Sequence, residues 1–348
     1  MTQFDGFTAR DRVLVVAPHP DDEAIATGGA LQAAVAAGAA CRVLVVTDGD
    51  NNPWPQRWIE KRWRIGADDR ARWGAQRRRE ALAALEILGV PAADARCLGF
   101  PDLGLTDLLM AGDRRLEDRL AAQIAEFAPT HVFLPALADR HPDHSALHVL
   151  MRIALLHAPV EPLLLTFGVH GAGSSANAVV LELTPEQQAT KRAAIMSHET
   201  QMRLSRRRFV GYARAQEPFG EAAARPSPEP GHPLDARRVP GGDVQVVVDR
   251  KRFGKSIRGN VLFVVATAGG DARVLWQIAL SGAAAGTIVD TAAGRDVATI
   301  PIEQDDDALR IALPAGAWQA AWIKLALPQP GLFVLDRFGW QTAACQAI

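Results

Sequence analysis

The chain of 348 residues is long enough for two domains, and its 48% hydrophobic content is ordinary for a globular protein. Lys and Arg together number 38 and Asp and Glu 39, so the net charge of −1 excludes a global field that attracts nucleic acid. No apolar run is long enough to span a bilayer, and residues 1–12 lack the apolar core of a signal peptide.

Cysteine usage indicates the compartment. The three cysteines, Cys41, Cys97 and Cys345, are far apart and odd in number, and none has the spacing of a structural zinc site. A disulfide framework is therefore not expected, and the sequence predicts a cytoplasmic protein without a transmembrane segment.

The first two thirds of the chain alternate apolar strands with helices rich in Ala and Leu. The predicted strands are residues 13–16, 42–47 and 131–135, and the predicted helices are residues 28–37, 72–88, 115–127 and 145–156. This alternation is typical of an α/β fold with a Rossmann-like, mostly parallel sheet and helices on both faces. We assign residues 1–220 to this domain.

The composition changes after this domain. Residues 217–242 contain six prolines among glycines and charges, which is typical of a linker, and we place the linker at residues 221–242. Short strand-like runs follow at residues 244–248, 261–267, 273–280, 297–301, 309–313, 320–327 and 333–335. They predict a smaller C-terminal all-β, sandwich-like domain over residues 243–348.

Chemistry-bearing side chains follow the first strand directly, in the run Pro18-His19-Pro20-Asp21-Asp22-Glu23. In an open α/β sheet, ligands bind at the carboxyl ends of the strands. Taken alone, such a run usually forms a turn with solvated carboxylates. Because successive side chains diverge, one of Asp21 and Asp22 could bind a metal while the other acts as a general base. The residues alone leave open which does which.

A second cluster, His141-Pro142-Asp143-His144, follows the strand at residues 131–135. One histidine could bind a metal while the other faces a substrate, and Asp143 could instead cap the following helix. Imidazole and carboxylate ligands suit Zn²⁺, and also Fe²⁺ or a similar ion. Two such clusters after two strands of one sheet predict a single metal site.

The remaining candidates have weaker signals. Trp54, Trp58, Trp63 and Trp73 could line a substrate groove, although core packing is the safer interpretation for at least half of them. A run of arginines, Arg77 to Arg79, is ordinarily the solvated face of a helix. His148 and His157 are interpreted as helix-packing residues, His131 as a structural residue, and His170 and His232 have no predicted role.

The two metal motifs together resemble the PIG-L/LmbE family of metal-dependent deacetylases, which remove acetyl groups from N-acetylglucosamine-type amino sugars. The resemblance covers about residues 10–220. Further segments that match the family are Thr47-Asp48-Gly49, Arg77 with Glu80, Leu98-Gly99-Phe100-Pro101-Asp102, Lys191 with His198 and Gln201, and Glu217 with Phe219. Thr200 replaces the usual serine of the late helix.

The resemblance implies roles for these residues. His19, Asp22 and His144 would bind zinc, and Asp21 would be the general base. His141 would stabilise the oxyanion and protonate the leaving amine, and Asp143 would hold an imidazole in orientation. Arg77, Asp102 and His198 would bind substrate, with His198 at the pocket rim.

We therefore expect a zinc-dependent N-deacetylase acting on an amino-sugar-containing small molecule, glycan or glycolipid, located at the inner face of the membrane if the acceptor is lipid-linked. The alternatives are an esterase or non-sugar amidase on the same metal site, and a non-catalytic carbohydrate-binding protein. The long, Trp-rich segment of residues 51–73 is interpreted as shaping the acceptor pocket. The sequence indicates neither the oligomeric state nor the role of the C-terminal domain.

Overall fold

A computed structural model describes residues 2–171, 178–222, 231–253, 259–269, 271–326 and 335–343 of the chain. Outside these ranges lie Cys345, residue 327 of one predicted strand, residues 333–334 of another, and residues 223–230 of the predicted linker. Among the helices of the described ranges, none is long and apolar enough to cross a membrane.

The strands of the N-terminal domain form one eight-stranded sheet. They are β1 (Thr2–Gln3), β2 (Arg12–Ala17), β3 (Ala40–Thr47), β4 (Ala95–Phe100), β5 (His131–Pro135), β6 (Leu163–Phe167), β7 (Ala178–Glu182) and β8 (Gln216–Glu221). Their order across the sheet is β1-β7-β8-β6-β5-β2-β3-β4. Neighbours run parallel except β8, which pairs antiparallel with β6 and β7. The predicted mostly parallel sheet is confirmed, and β8 distinguishes it from a fully parallel Rossmann sheet.

Helices cover both faces of this sheet, as predicted. The helices of the chain are α1 (Asp22–Ala36), α2 (Pro53–Glu60), α3 (Ala67–Ile87), α4 (Leu105–Met110), α5 (Arg115–Phe127), α6 (Pro142–Leu156), α7 (Pro185–Met196), α8 (Glu199–Val210) and α9 (Arg250–Phe253). Val13 and Val15 of β2 pack with α1, α3 and α7, whereas Leu14 and Val16 pack with α4, α5 and α6. Because side chains alternate along a strand, a strand covered on both faces is apolar at every position.

Three helices begin earlier than the sequence predicted: α3 begins at Ala67 rather than residue 72, and the other two begin at a metal motif. Helix α1 begins at Asp22 rather than residue 28, with the carboxylates Asp22 and Glu23 in its first turn. Acidic side chains are favourable there because the helix dipole is positive at its N-terminus. Helix α6 begins at Pro142 rather than residue 145, which suits proline because its missing N–H is not needed in the first turn.

Strands β2 and β5 lie side by side at the point where the chain changes direction across the sheet. After β2 the chain adds β3 and β4 on one side, and it then returns to add β5 and β6 on the other. Parallel pairing of β2 with β5 aligns Val13 with His131 and Val15 with Phe133. The two segments that follow these strands therefore meet at the topological switch point, where open α/β sheets bind ligands.

The C-terminal domain is a separate antiparallel sheet of nine strands. They are β9 (Leu234–Arg238), β10 (Val244–Asp249), β11 (Asn260–Ala268), β12 (Arg273–Leu280), β13 (Ala285–Asp290), β14 (Arg295–Gln304), β15 (Ala308–Leu313), β16 (Trp318–Ala326) and β17 (Gln341–Ala343). Their order is β17-β16-β11-β12-β13-β14-β15-β10-β9. Strand β9 lies within the segment predicted to be a linker and pairs with β10.

This sheet is a near-barrel rather than the expected two-sheet sandwich. The ten-residue strand β14 pairs with β13 over its first part and with β15 from Ile302. It therefore joins the strands on the β13 side and those on the β15 side into one continuous sheet. The terminal strands β17 and β9 also approach each other, with Gln341 Nε2 donating to the Leu234 carbonyl at 3.5 Å. Long strands that continue around a curved sheet bring its edges together and reduce exposed edge.

The two domains share one apolar core. Val265, Leu275 and Trp322 of the C-terminal sheet are buried in the same cluster as Leu105 and Met110 of the N-terminal domain. A partly buried ion pair joins Arg273 to the buried Glu117 across this boundary.

The C-terminal domain also contacts the loop that precedes the second metal motif. Arg140 Nε donates to the Asp336 carbonyl at 3.0 Å, and the Asp336 N–H donates to the Arg140 carbonyl at 2.8 Å. A Cβ at Gly339 would lie 2.8 Å from the Asp139 carbonyl, so only glycine allows this close approach. The C-terminal domain therefore supports the backbone next to His141.

Candidate metal centre

Three buried side chains from the two motifs converge at the switch point. His19 Nδ1 lies 3.2 Å from Asp22 Oδ2 and 3.3 Å from His144 Nε2, and His144 Nε2 lies 3.2 Å from the same Asp22 oxygen. His19 follows β2, Asp22 opens α1, and His144 lies in the first turn of α6. Their exposures of 7%, 1% and 0% place all three side chains out of bulk solvent.

The donor triangle has the dimensions of a divalent metal site. Ligand atoms about 2.0–2.1 Å from a tetrahedral ion lie about 3.3 Å from one another. Two neutral imidazoles and a carboxylate form a typical catalytic donor set for zinc, which leaves a fourth position open. The three residues therefore fit such an ion. Two other sets of buried donor atoms lie close together as well, His19 with His141 and His144, and His19 with Asp102 and Asp143.

Two further carboxylates lie behind the histidines of the triangle. Asp143 Oδ2 lies 3.3 Å from His19 Nε2, and Asp143 also accepts the N–H groups of Leu103 at 2.7 Å and Leu105 at 3.0 Å. Asp139 Oδ2 lies 3.2 Å from His144 Nδ1. Such outer carboxylates orient a metal-binding imidazole and select its tautomer.

Asp139 was missed by the sequence analysis. Besides its contact with His144, its carboxylate accepts the backbone N–H groups of His141 at 2.9 Å, Val169 at 2.9 Å and His170 at 3.1 Å. It thereby joins the loop after β5 to the loop after β6. Its position two residues before His141 was the available signal, because an aspartate often accepts the N–H two residues later.

We predict that Asp139→Asn weakens metal binding about 10–100-fold, the usual effect of losing an outer-shell partner. The uncharged amide attracts His144 less strongly and can present an N–H to the ring instead of an acceptor. Zinc titration against a competing chelator measures the change, with the exposed Asp118→Asn as the control. Equal zinc affinities in the two variants would contradict the role assigned to Asp139.

Asp21 lies beside the triangle but is not part of it. It caps α1 with φ 130° and ψ −29°, a strained conformation for a non-glycine residue, as is often found at functional sites. Burial raises the pKa of Asp21 to about 6, with further contributions from Asp22 and Glu23 and opposition from Arg77. A carboxylate with such a pKa is mostly ionised at neutral pH and can accept a proton.

Arg77 is buried rather than solvated, in contrast to the expectation for the arginine run. Its Nη1 donates to the Gly49 carbonyl at 2.7 Å, and its Nη2 donates to the Pro20 carbonyl at 2.7 Å and to Asp21 Oδ2 at 3.2 Å. These contacts hold Asp21 and the loop after β3 together. A guanidinium group is rarely buried without polar partners, and the three acceptors around Arg77 are what allow this arginine of the run to be buried.

The imidazole ring of His141 is neutral, and its Nε2–H is available to donate a hydrogen bond. Burial and the imidazoles of His19 and His144 hold the pKa of His141 well below its usual range. The Asp143 N–H donates to His141 Nδ1 at 3.3 Å, so Nε2 carries the proton of the neutral ring. This ring, 4.5 Å from His19 between centroids, can donate a hydrogen bond to a developing negative charge.

A cavity of about 360 Å³ opens over these groups. Of the predicted residues, it is lined by His19, Asp21, Asp22, Arg77, Asp102 and His141. Asp102 places one oxygen 3.2 Å from His19 Nε2 and accepts the Asn51 N–H at 2.8 Å with the other. The volume is at the small end of the usual range for ligand sites, which suits a ligand about the size of a single ring.

His198 does not reach the cavity, contrary to its predicted place at the rim. It is 1% exposed, and its Nε2 lies 2.9 Å from Glu23 Oε1. A buried carboxylate such as Glu23 is costly without a partner, and His198 supplies that partner. Gln201, three residues further along, lines the cavity instead.

The fold brings other unpredicted side chains to the cavity. His170 lies 5.1 Å from His144 and 5.3 Å from His141 between ring centroids, and burial together with the nearby His144 lowers the pKa of His170 to about 4. Tyr212 and Leu335 also line the cavity. No local motif marks these residues, because they lie in three connections distant along the chain, after β6, after α8 and between β16 and β17.

The late-helix segment is tied to the site through Glu80. Thr200 donates its N–H to Glu80 Oε1 at 3.1 Å and its hydroxyl to Glu80 Oε2 at 2.6 Å. Threonine keeps the hydroxyl that serine would supply, so the substitution preserves this contact.

Comparison with known proteins agrees with the geometry. A family model described as PIG-L, GlcNAc-PI de-N-acetylase, matches residues 14–155. The chain is 35% identical over 147 residues to a 1D-myo-inositol 2-acetamido-2-deoxy-alpha-D-glucopyranoside deacetylase of Mycobacterium avium (strain 104), covering 38% of this chain and 47% of the relative. A relative of the same name from Corynebacterium glutamicum (strain R) is 31% identical over 222 residues, covering 55% of this chain and 75% of the relative.

Other similarities are of the same kind. The 2'-N-acetylparomamine deacetylase of Streptomyces fradiae is 31% identical over 171 residues, covering 45% of this chain and 56% of the relative. The solved N,N'-diacetylchitobiose deacetylase of Pyrococcus horikoshii superposes with a TM-score of 0.47 at 19% identity, covering 60% of this chain and 82% of that one. The chain spans about half the length of most of the curated relatives described here.

Proposed function

The chain belongs to the PIG-L family, and from this premise we propose that it is a metal-dependent hydrolase that removes the N-acetyl group from an N-acetylglucosamine-type amino sugar. The observation that carries the proposal is the buried triangle of His19, Asp22 and His144 donor atoms beside the carboxylate of Asp21, at the base of a sugar-sized cavity. We propose zinc as the ion because the donor set and spacing suit it.

An ion held by the triangle would polarise the acetyl carbonyl and lower the pKa of a water molecule to about 7. Asp21 accepts a proton from the attacking water, since its carboxylate is ionised and held by Arg77. His141 Nε2–H donates to the oxygen of the acetyl group as that oxygen becomes negative. Asp143 and Asp139 keep His19 and His144 in orientation.

The leaving amine requires a proton. The family resemblance implied that His141 donates this proton, but a neutral imidazole is a weak proton donor. We assign it to Asp21, which holds a proton after the water has been activated and can return it to the nitrogen. Arg77 and Asp102 remain our proposed contacts to sugar hydroxyls because both line the cavity.

The test is acetate release from N-acetylated sugars by protein stripped of metal and then reloaded. We expect no release from the stripped protein, recovery with one equivalent of Zn²⁺, and no hydrolysis of simple esters beyond the buffer rate. Parallel reloading with Fe²⁺ identifies the better ion. Zinc-dependent ester cleavage without acetate release from any amino sugar would replace the proposal by esterase activity. Full activity in stripped protein would refute the metal site.

A further inference from the structure

A second cavity of about 670 Å³ adjoins the catalytic one. The two cavities share the lining residues Asn52, Pro55 and Leu204. The second, which we call the Trp groove, is otherwise lined by Trp54, Arg57, Trp58, Lys61, Arg62 and Trp63. A ligand seated in the catalytic cavity therefore has a continuous path into the Trp groove.

The tryptophans of this groove are exposed, which corrects the interpretation that at least half of the set packs in the core. Trp54, Trp58 and Trp63 are 48%, 77% and 79% exposed, whereas Trp73 alone is buried. Helix α2 turns its Gln56 inward to donate to the Asp69 carbonyl at 2.8 Å, while Trp54 and Trp58 line the open side. Contiguous exposed aromatic surface of this kind marks a binding site.

The Trp groove is basic. Its lining includes three cations and no carboxylate. Arg62 pairs with Asp69, but in the part of the chain that the structure describes neither Arg57 nor Lys61 has an ion-pair partner. The Arg57 guanidinium lies 5.0 Å from the Trp54 ring centroid and 5.6 Å from that of Trp63. On the catalytic side, the exposed Arg208 lines the adjoining cavity, likewise without a carboxylate partner among the described residues.

We propose that the Trp groove binds the aglycone of the acceptor, and that this aglycone combines a flat ring with negative charge, as a nucleoside diphosphate does. The proposal rests on the proposed deacetylase function. The ring would stack on an exposed tryptophan, and the anionic group would lie among the cations between the two cavities. The volume is that of a site for a group larger than one sugar.

A second copy of the chain is a less suitable occupant. A symmetric dimer would apply the same surface to itself, and the unpaired Arg57 and Lys61 of both copies would then face one another. An anionic, ring-bearing ligand instead neutralises those charges while covering the tryptophans.

Turnover separates the contributions of ring and charge. We compare N-acetylglucosamine, its 1-phosphate, its 4-nitrophenyl glycoside and its uridine diphosphate derivative, which carry neither feature, charge alone, ring alone and both. We expect kcat/KM to be highest for the nucleotide sugar. The preference for the nucleotide sugar is its kcat/KM divided by the kcat/KM of N-acetylglucosamine, and Trp58→Ala should lower this preference about tenfold. Lys61→Asn should lower the preference about fivefold and make it less dependent on salt, and asparagine suits the left-handed φ of 53° at this position.

Binding tests the groove independently of catalysis. Calorimetric titration of metal-free, full-length protein with uridine diphosphate should show saturable binding, about tenfold weaker in Trp58→Ala and unchanged in Val297→Ala, an exposed apolar control on β14. The proposal would be overturned if inorganic pyrophosphate bound as tightly as uridine diphosphate, if Trp58→Ala bound uridine diphosphate as tightly as the wild type, or if uridine diphosphate did not bind at all. Trp58-dependent binding without any acetate release would support the groove while refuting the deacetylase function.

Discussion

Replacing Asp21 by Asn is expected to lower kcat for deacetylation about 10²–10⁴-fold, the usual contribution of a general base. An amide of the same shape cannot accept the proton of the attacking water. Asparagine also tolerates positive φ better than most residues, so the backbone at φ 130° should be retained. Since the donor triangle excludes Asp21, zinc should remain bound at one equivalent.

Steady-state kinetics with metal analysis checks this expectation, with Asp68→Asn, an exposed aspartate in the first turn of α3, as the matched control. The control should match the wild type in both rate and zinc content. A zinc-loaded Asp21→Asn protein with wild-type kcat would remove Asp21 from the mechanism and leave the proton acceptor unassigned.

Replacing Lys191 by Met is expected to destabilise the fold by about 3–5 kcal/mol, the usual cost of stranding one charge of a buried pair. Lys191 and Glu217 are 1% and 2% exposed, and Nζ lies 2.5 Å from Glu217 Oε1. Glu217 also accepts the N–H groups of Gly29 at 2.6 Å and Ala30 at 2.9 Å. The substitution therefore leaves a buried carboxylate against helix α1, which begins at the proposed metal ligand Asp22.

Urea unfolding measures this loss. Lys251→Met is the matched control, because the Lys251 pair with Asp307 is made at 2.6 Å by two side chains that are 76% and 67% exposed, and its midpoint should hardly move. The double variant Lys191→Met/Glu217→Gln should regain part of the loss, since the amide oxygen still accepts the backbone N–H groups. Equal midpoints for Lys191→Met and the wild type would show that the pair contributes little to stability.

The positions of the proposed metal ligands followed from local sequence, but the division of roles among them did not. A His and two adjacent carboxylates directly after an apolar strand must lie at the carboxyl end of that strand. Which carboxylate joins the triangle depends on backbone direction. At Asp21 the chain takes a positive φ that precedes α1, and Asp22, the first residue of the helix, turns toward His19 and His144.

Residues that reach the site from distant parts of the chain could not be predicted from local sequence patterns. Asp139 acts by joining the loops after β5 and β6, and its role depends on those loops lying side by side. His198 carries a family motif yet is directed inward by Glu23, a contact between the junction of α7 with α8 and the first turn of α1. The C-terminal domain contributes Leu335 to the cavity and Asp336 to Arg140 from nearly two hundred residues away along the chain.

By itself, the sequence determined three adjacent strands of the N-terminal sheet (β2, β3 and β5), four of its helices, the all-β character of the C-terminal part and the positions of the two His/Asp motifs, because periodicity and residue type act over a few neighbours. Only the tertiary structure decided that β2 and β5 are adjacent, that Arg77 is buried on Asp21, that three tryptophans face outward, and that the β-domain nearly closes on itself. Those outcomes depend on strand pairing and side-chain burial between segments that are far apart along the chain. The local sequence does not specify which distant segment supplies the hydrogen-bond or packing partner.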